Sequence, residues 1–244
     1  MATTHPLAPD RNAPVGSPRR HVREAVLVGL LALTLNLAGN ARISLWDRDE
    51  PRYAGATREM RASGDWLRPT FNAEPRYHKP VLIYWLMMAG TAMGGDNPFG
   101  ARLVSALAGT GTCLLVLAWG RRMLGDRVGL WAALILATAP IVVVESKLAT
   151  TDATLAFLVV GCQFALWKLA RGPSKAAVAV FWTFLALATL TKGPVGPALI
   201  VASAGVSWWW GGPTAHPSKN PKAGWLLRLA QAPTRAAGSR ADHG

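Results

Sequence analysis

The sequence predicts an all-α polytopic membrane protein with about six transmembrane spans and an extracytoplasmic loop carrying short interfacial helices. Three observations point to this class. Of 244 residues, 51% are hydrophobic and 16% charged, with 11 Trp, which is too apolar for an ordinary soluble domain. Uncharged runs near the ~20 residues that cover a bilayer's hydrocarbon core recur along the chain. Charge, by contrast, is gathered: Trp46 to Lys79 holds six of the 13 acidic and seven of the 26 basic residues within 34 positions.

The formal net charge of +13 would suggest nucleic acid in a soluble protein. Here the Lys and Arg lie between apolar runs and in the two tails, so membrane topology accounts for them and no nucleic acid is expected. Cys113 and Cys162 each fall inside an apolar run without a CxxC pattern, which reads as packing rather than a disulfide or a zinc site.

Residues 1–24 are rich in Pro, Ala and Arg and read as a disordered basic segment; basic residues ahead of the first apolar run predict a cytoplasmic N-terminus. Ala25 to Ala41 is uncharged and reads as the first span rather than a signal peptide, because further spans follow. After the charged loop, Pro80 to Gly95 is short and ends in glycines. Five more runs follow: Leu103 to Gly120, Val128 to Val144, Ala153 to Trp167, Ala176 to Thr191 and Gly193 to Gly211. If Pro80 to Gly95 lies along the outer interface, the chain crosses six times and the basic linkers 121–127 and 168–175 fall inside, obeying the positive-inside tendency. If it crosses, those linkers move outside. Residues 212–244 read as a disordered basic tail, leaving 25–211 as the membrane domain with its charged loop at 46–80.

That loop interleaves acids and arginines with Trp46, Tyr53, Trp66, Phe71 and Tyr77, as a polar site folded against a bilayer would. In WDRDEPRYAG, Pro51 suits a first helical position, which places Asp49 where a helix dipole favours a carboxylate. An ionised carboxylate serves as a general base toward a hydroxyl, and a nearby guanidinium holds phosphate by paired hydrogen bonds. The plainer alternative stays open: Asp49 caps the helix and Arg52 pairs with Glu50 or Glu59. Asp152 in LATTDATL likewise reads as a substrate contact or a cap. Lys192 in TKGPVG reads as a phosphate contact or a snorkelling lysine. Glu145 and Lys147 read as an interfacial pair.

The segments WDRDEPRYAGATREM, RYHKPVLIYWL, LATTDATL and TKGPVGPAL together resemble a membrane glycosyltransferase family. It includes bacterial 4-amino-4-deoxy-L-arabinose lipid A transferase and the protein O-mannosyltransferases, and the likeness covers roughly residues 25 to 210. The resemblance implies a GT-C-like multi-helix fold and transfer of a pentose or hexose from a polyprenyl-phosphate donor on the outer, periplasmic face of the inner membrane. The acceptor it implies is a hydroxyl of lipid A, another glycolipid or a protein. It places the family's catalytic Asp on Asp49, its Arg on Arg52, its Tyr on Tyr53 and its donor-phosphate lysine on Lys79. Where the arabinose transferases have a metal-binding Glu this chain has His78, so a divalent metal stays open, imidazole being a competent zinc ligand. Asp47 is a poorer match to a second acidic group.

On the outer face no nucleotide pool is available and the chain carries no GxxxxGK[ST] loop, so no nucleotide cofactor is expected and an activated sugar has to arrive through the bilayer on a lipid phosphate. A transporter and an inactive fragment or assembly subunit are the rival readings. Relatives of the arabinose-transferase type continue with more spans and a further domain, so a truncated or partial chain is also expected.

Overall fold

The computed structural model describes residues 17–46 and 49–211, which form nine helices and one two-stranded hairpin. The first helix, α1 (Pro18–Leu37), begins seven residues earlier than expected. The Ser17 hydroxyl accepts the Arg20 amide at 3.4 Å, and Pro18 stands at a position where its missing N–H costs nothing. The last residues of the segment expected to be disordered therefore form the opening turns of α1. The remainder of that segment, the 212–244 tail and Asp47 lie outside the described residues.

The charged loop is a folded unit. Its helix α2 (Glu50–Ser63) stops at Gly64, whose φ of 72° is a left-handed cap that a β-carbon disfavours. A hairpin follows, β1 (Thr70–Phe71) and β2 (Glu74–Pro75), turning through Asn72 and Ala73 at φ 55° and 62°. Two consecutive left-handed residues are what a two-residue turn between antiparallel strands requires. Glu59 of α2 holds that turn, accepting hydrogen bonds from the Thr70 hydroxyl (2.6 Å) and from the amides of Asn72 (2.7 Å) and Ala73 (3.3 Å). The Thr70 hydroxyl, with the two amides, holds its carboxyl below the usual carboxylate range. Arg52 therefore does not have Glu59 as its partner.

The remaining helices are α3 (Leu82–Gly94), α4 (Pro98–Leu124), α5 (Asp126–Thr138), α6 (Pro140–Lys147), α7 (Asp152–Leu169), α8 (Lys175–Lys192) and α9 (Val195–Gly211). By length and composition α4, α7 and α8 suffice to cross a membrane; α5 with α6, bent by 59°, is either a fourth, broken span or a re-entrant loop. The run 128–144, expected as one span, breaks at Pro140, which has no amide to continue the helix and opens α6 instead. The other two expected spans are helical but fall short. Arg19, Arg20, Arg23 and Glu24 occupy the opening turns of α1, and α9 has 17 residues. With 13 residues, α3 extends about 20 Å, less than the ~30 Å hydrocarbon thickness.

The long helix α4 is the hub, touching α1, α3, α5, α6 and α7. Close approach depends on Gly109, where a β-carbon would stand 1.9 Å from the Ser146 hydroxyl of α6. Val28, Ala32, Cys113, Leu117, Ala133 and Ala137 form one buried cluster, and Leu155, Leu158 and Ala188 another. Cys113 and Cys162 are free and buried, as packing residues should be. Arg102 and Arg122 lie twenty positions apart on α4, hence about 30 Å along its axis, so the two ends of α4 can sit at opposite faces of a bilayer.

Candidate active site at one end of the helix bundle

The N-terminus of α2 is fixed by an ion pair that sequence reasoning missed. Glu50 is fully buried, and its carboxylate accepts from Arg102 Nε (2.8 Å), Arg102 Nη2 (2.7 Å), the Ala149 amide (2.7 Å) and the Trp46 amide (3.3 Å). Arg102 spends its other donor capacity on the carbonyls of Asn40 (3.2 Å), Ile43 (2.7 Å) and Ser44 (3.0 Å). One guanidinium thus ties the chain leaving α1, the start of α2 and the head of α4, while Glu50 adds the α6–α7 connection. Burial alone would push the Glu50 carboxyl up, but Arg102 and the two amides hold it below the usual carboxylate range. Arg52 therefore does not have Glu50 as its partner either. The available signal was a lone Arg at the head of an apolar run, which set the predicted span one residue later.

One position before this anchor, Asp49 occupies the cap position of α2 by backbone, and its carboxylate bonds no helix amide. It lies instead 3.9 Å from the Arg52 guanidinium, one turn on, and both side chains are 42% exposed. The capping alternative thus fails for the side chain. Tyr53 is buried, packed edge-on to Tyr84 of α3 at 6.0 Å between ring centroids. Burial, then the charge of Asp49 and more weakly that of Asp152, pushes the Tyr53 phenol far up, so it is neutral and a donor at any physiological pH. The Arg76 guanidinium stands over Tyr53 (5.6 Å) and Phe71 (5.9 Å). Sequence reasoning passed over Arg76, three positions before Lys79; its Nε is buried without an acceptor among the described residues.

Asp152, first residue of α7, forms an ion pair with Lys192, last residue of α8. Thr151 makes no side-chain cap bond. Two residues read singly from the sequence are thus a pair. Lys79 is partly exposed and His78 exposed in the connector before α3; neither makes an ion pair among the described residues. Among those residues no three of His, Cys, Asp and Glu gather as metal ligands would, and His78 belongs to no such group. Lys147 reaches the Ala38 carbonyl of the α1–α2 connection. A largely apolar groove of about 410 Å³ runs between α4, α6 and α7 from Val116 and Val160 to Ser146 and Asp152.

Carboxylates and cations beside an apolar groove on an apolar helical bundle define a polytopic membrane protein with a charged site at one end. The chain belongs to the dolichyl-phosphate-mannose-protein mannosyltransferase family, whose pattern matches residues 24–216. It is 36% identical over 154 residues to the undecaprenyl phosphate-alpha-4-amino-4-deoxy-L-arabinose arabinosyl transferase of Pseudomonas aeruginosa (strain LESB58), covering 61% of this chain and 28% of that protein. Among solved structures it is similar to ArnT from Cupriavidus metallidurans at 30% identity. The apo crystal structure superposes with a TM-score of 0.70 over 89% of this chain and 39% of that one. The structure bound to undecaprenyl phosphate gives 0.67 over 80% and 37%. The chain therefore spans well under half the length of these relatives.

Proposed function

We propose that this chain forms the reacting face of a membrane glycosyltransferase that moves a sugar from a polyprenyl-phosphate donor to a hydroxyl at the periplasmic face of the inner membrane. Aminoarabinose or mannose is the type of sugar, and lipid A, another glycolipid or a protein the type of acceptor. The observation that carries this reading is the pairing of Asp49 with Arg52 beside buried Tyr53, together with the Asp152–Lys192 ion pair at the rim of an apolar groove, in a member of this family. The arabinosyl transferase named above is one for an undecaprenyl-phosphate-linked sugar, and ArnT has been crystallised with undecaprenyl phosphate.

In this reading the Asp49 carboxylate takes the proton of the acceptor hydroxyl as its oxygen attacks the anomeric carbon. The bond from that carbon to the phosphate oxygen breaks, and its electron pair leaves with the polyprenyl phosphate. Arg52, Lys79 and Lys192 stabilise the charge that develops on the departing phosphate, the kind of electrostatic help that usually contributes most. A base on one side and the leaving group on the other give inversion at the anomeric carbon. Clustering of the ionisable groups at one end, rather than at mid-span, supports an enzyme over a carrier. The test is transfer of radiolabelled sugar from polyprenyl phosphate in membranes. Asp49→Asn should lower transfer by about 10²–10⁴-fold at unchanged protein abundance; equal transfer by both proteins removes Asp49 as the base.

A further inference from the structure

The end of the bundle opposite Asp49 carries a second constellation, which the proposed reaction does not use. Trp119 of α4 stacks on Phe164 of α7 with centroids 6.1 Å apart, and Trp167 lies 5.9 Å beyond Phe164. Three cations sit on these rings. The Arg122 guanidinium is 5.6 Å and the Lys168 ammonium 5.0 Å from the centre of Phe164, and the Arg171 guanidinium is 3.5 Å from the centre of Trp167.

Cation–π attraction of ~0.5–2 kcal/mol does not replace a counter-charge for three neighbouring cations. None of the three forms an ion pair among the described residues. Two nearby carboxylates are engaged elsewhere: Glu24 holds Arg20 and Arg121, and Asp126 meets His21 at 2.9 Å. The indole N–H groups of Trp119 and Trp167 are also buried and lack an acceptor among the described residues. A buried donor left unmet costs ~1–3 kcal/mol. Two indole donors and three cations converging on one aromatic stack call for an acceptor rich in oxygen and bearing negative charge.

We propose that Trp119, Arg122, Phe164, Trp167, Lys168 and Arg171 form a binding site for the phosphate headgroup of an anionic membrane lipid. Phosphate is the shared chemistry, and the apolar surroundings commit the source to a lipid: Met123 and Leu124, next along α4, are 49% and 55% exposed. The position agrees, since Arg122 lies about 30 Å along α4 from Arg102, at the second face of a bilayer. The site stands independently of the transferase reading.

The experiment is native mass spectrometry of the full chain in detergent, titrated separately with phosphatidylglycerol, phosphatidylcholine and inorganic phosphate. Phosphatidylglycerol should bind at least about tenfold tighter than phosphatidylcholine, because the choline ammonium cancels the net charge of an otherwise identical phosphate and is repelled by the three cations. The doubly substituted R122Q/K168Q chain should lose that preference, and Lys168→Arg should keep it. Arg171→Gln, in the exposed turn after α7, should weaken phosphatidylglycerol binding in a chain whose thermal midpoint is unchanged. Equal binding of the two lipids, or a preference that survives both the double variant and Arg171→Gln, overturns the site. Displacement of phosphatidylglycerol by an equal concentration of inorganic phosphate overturns the lipid as its ligand.

Discussion

Replacing Arg102 with Met should damage this protein far more than removing any exposed ion pair. The substitution leaves the fully buried Glu50 carboxylate with only the Ala149 and Trp46 amides, and strips the Asn40, Ile43 and Ser44 carbonyls of their donor. Breaking one side of a buried pair costs about 3–5 kcal/mol. At ~2–4 °C per kcal/mol for a chain of this length, the thermal midpoint should fall by about 6–20 °C. The internal control is Asp96, which bridges Arg58 (2.8 Å) and Arg61 (2.7 Å) with all three side chains 40–51% exposed. Asp96→Asn should cost only ~0.2–1 kcal/mol per pair, because water screens the charges. Cys113 and Cys162 supply the assay, since both thiols are buried and free and react with a fluorogenic maleimide only on unfolding. A double variant, Arg102→Met with Glu50→Gln, should recover part of the loss because no charge is left stranded. A midpoint for Arg102→Met no lower than that for Asp96→Asn would refute the view that this pair fixes the site.

Three further outcomes are expected. Because Glu50's folded-state pKa lies below its ordinary 4.5, its stabilising contribution is complete above that pH and lost as pH falls through the lower folded value. Tryptophan emission between pH 6 and 2 should therefore show an acid transition whose steepness falls in Glu50→Gln. Gly109→Ala should lower the thermal midpoint by an amount corresponding to about 1–3 kcal/mol, since the new methyl meets Ser146 and α4 must move from α6. Lys192→Gln should lower kcat and kcat/KM together if Lys192 stabilises the charge developing on the departing phosphate, and should leave both unchanged if its pairing with Asp152 is only structural.

Part of the local chemistry was legible. The apolar runs and the Pro51 start of α2 act over a few residues and were read; the Ser17–Pro18 start of α1 and the Asn97 cap of α4, whose side chain accepts the Gly100 amide at 3.0 Å, are equally local but were not. Fold class and most helices could therefore be read from the chain, and the DEPRY segment pointed to Asp49, Arg52 and Tyr53. Arg102 could not be found this way: its partner Glu50 is 52 positions away, and nothing in either segment specifies that they meet. The Asp152–Lys192 pair was half legible, since both residues were singled out but their contact depends on how α7 packs on α8. The run 128–144 was legible as an apolar segment; its 59° bend was not, because the angle is set by the packing of α6 on α4.

The Glu50 anchor also has a consequence for biogenesis. During synthesis Glu50 leaves the ribosome 52 residues ahead of Arg102 and 99 ahead of Ala149. At ~5–20 residues per second its carboxylate waits about 5–20 s for its last partner. Until Arg102 follows, about 3–10 s after Glu50, the opening turn of α2 has none of the long-range bonds that later fix it, and the set is complete only with Ala149, so a segment made early is among the last to acquire its shape.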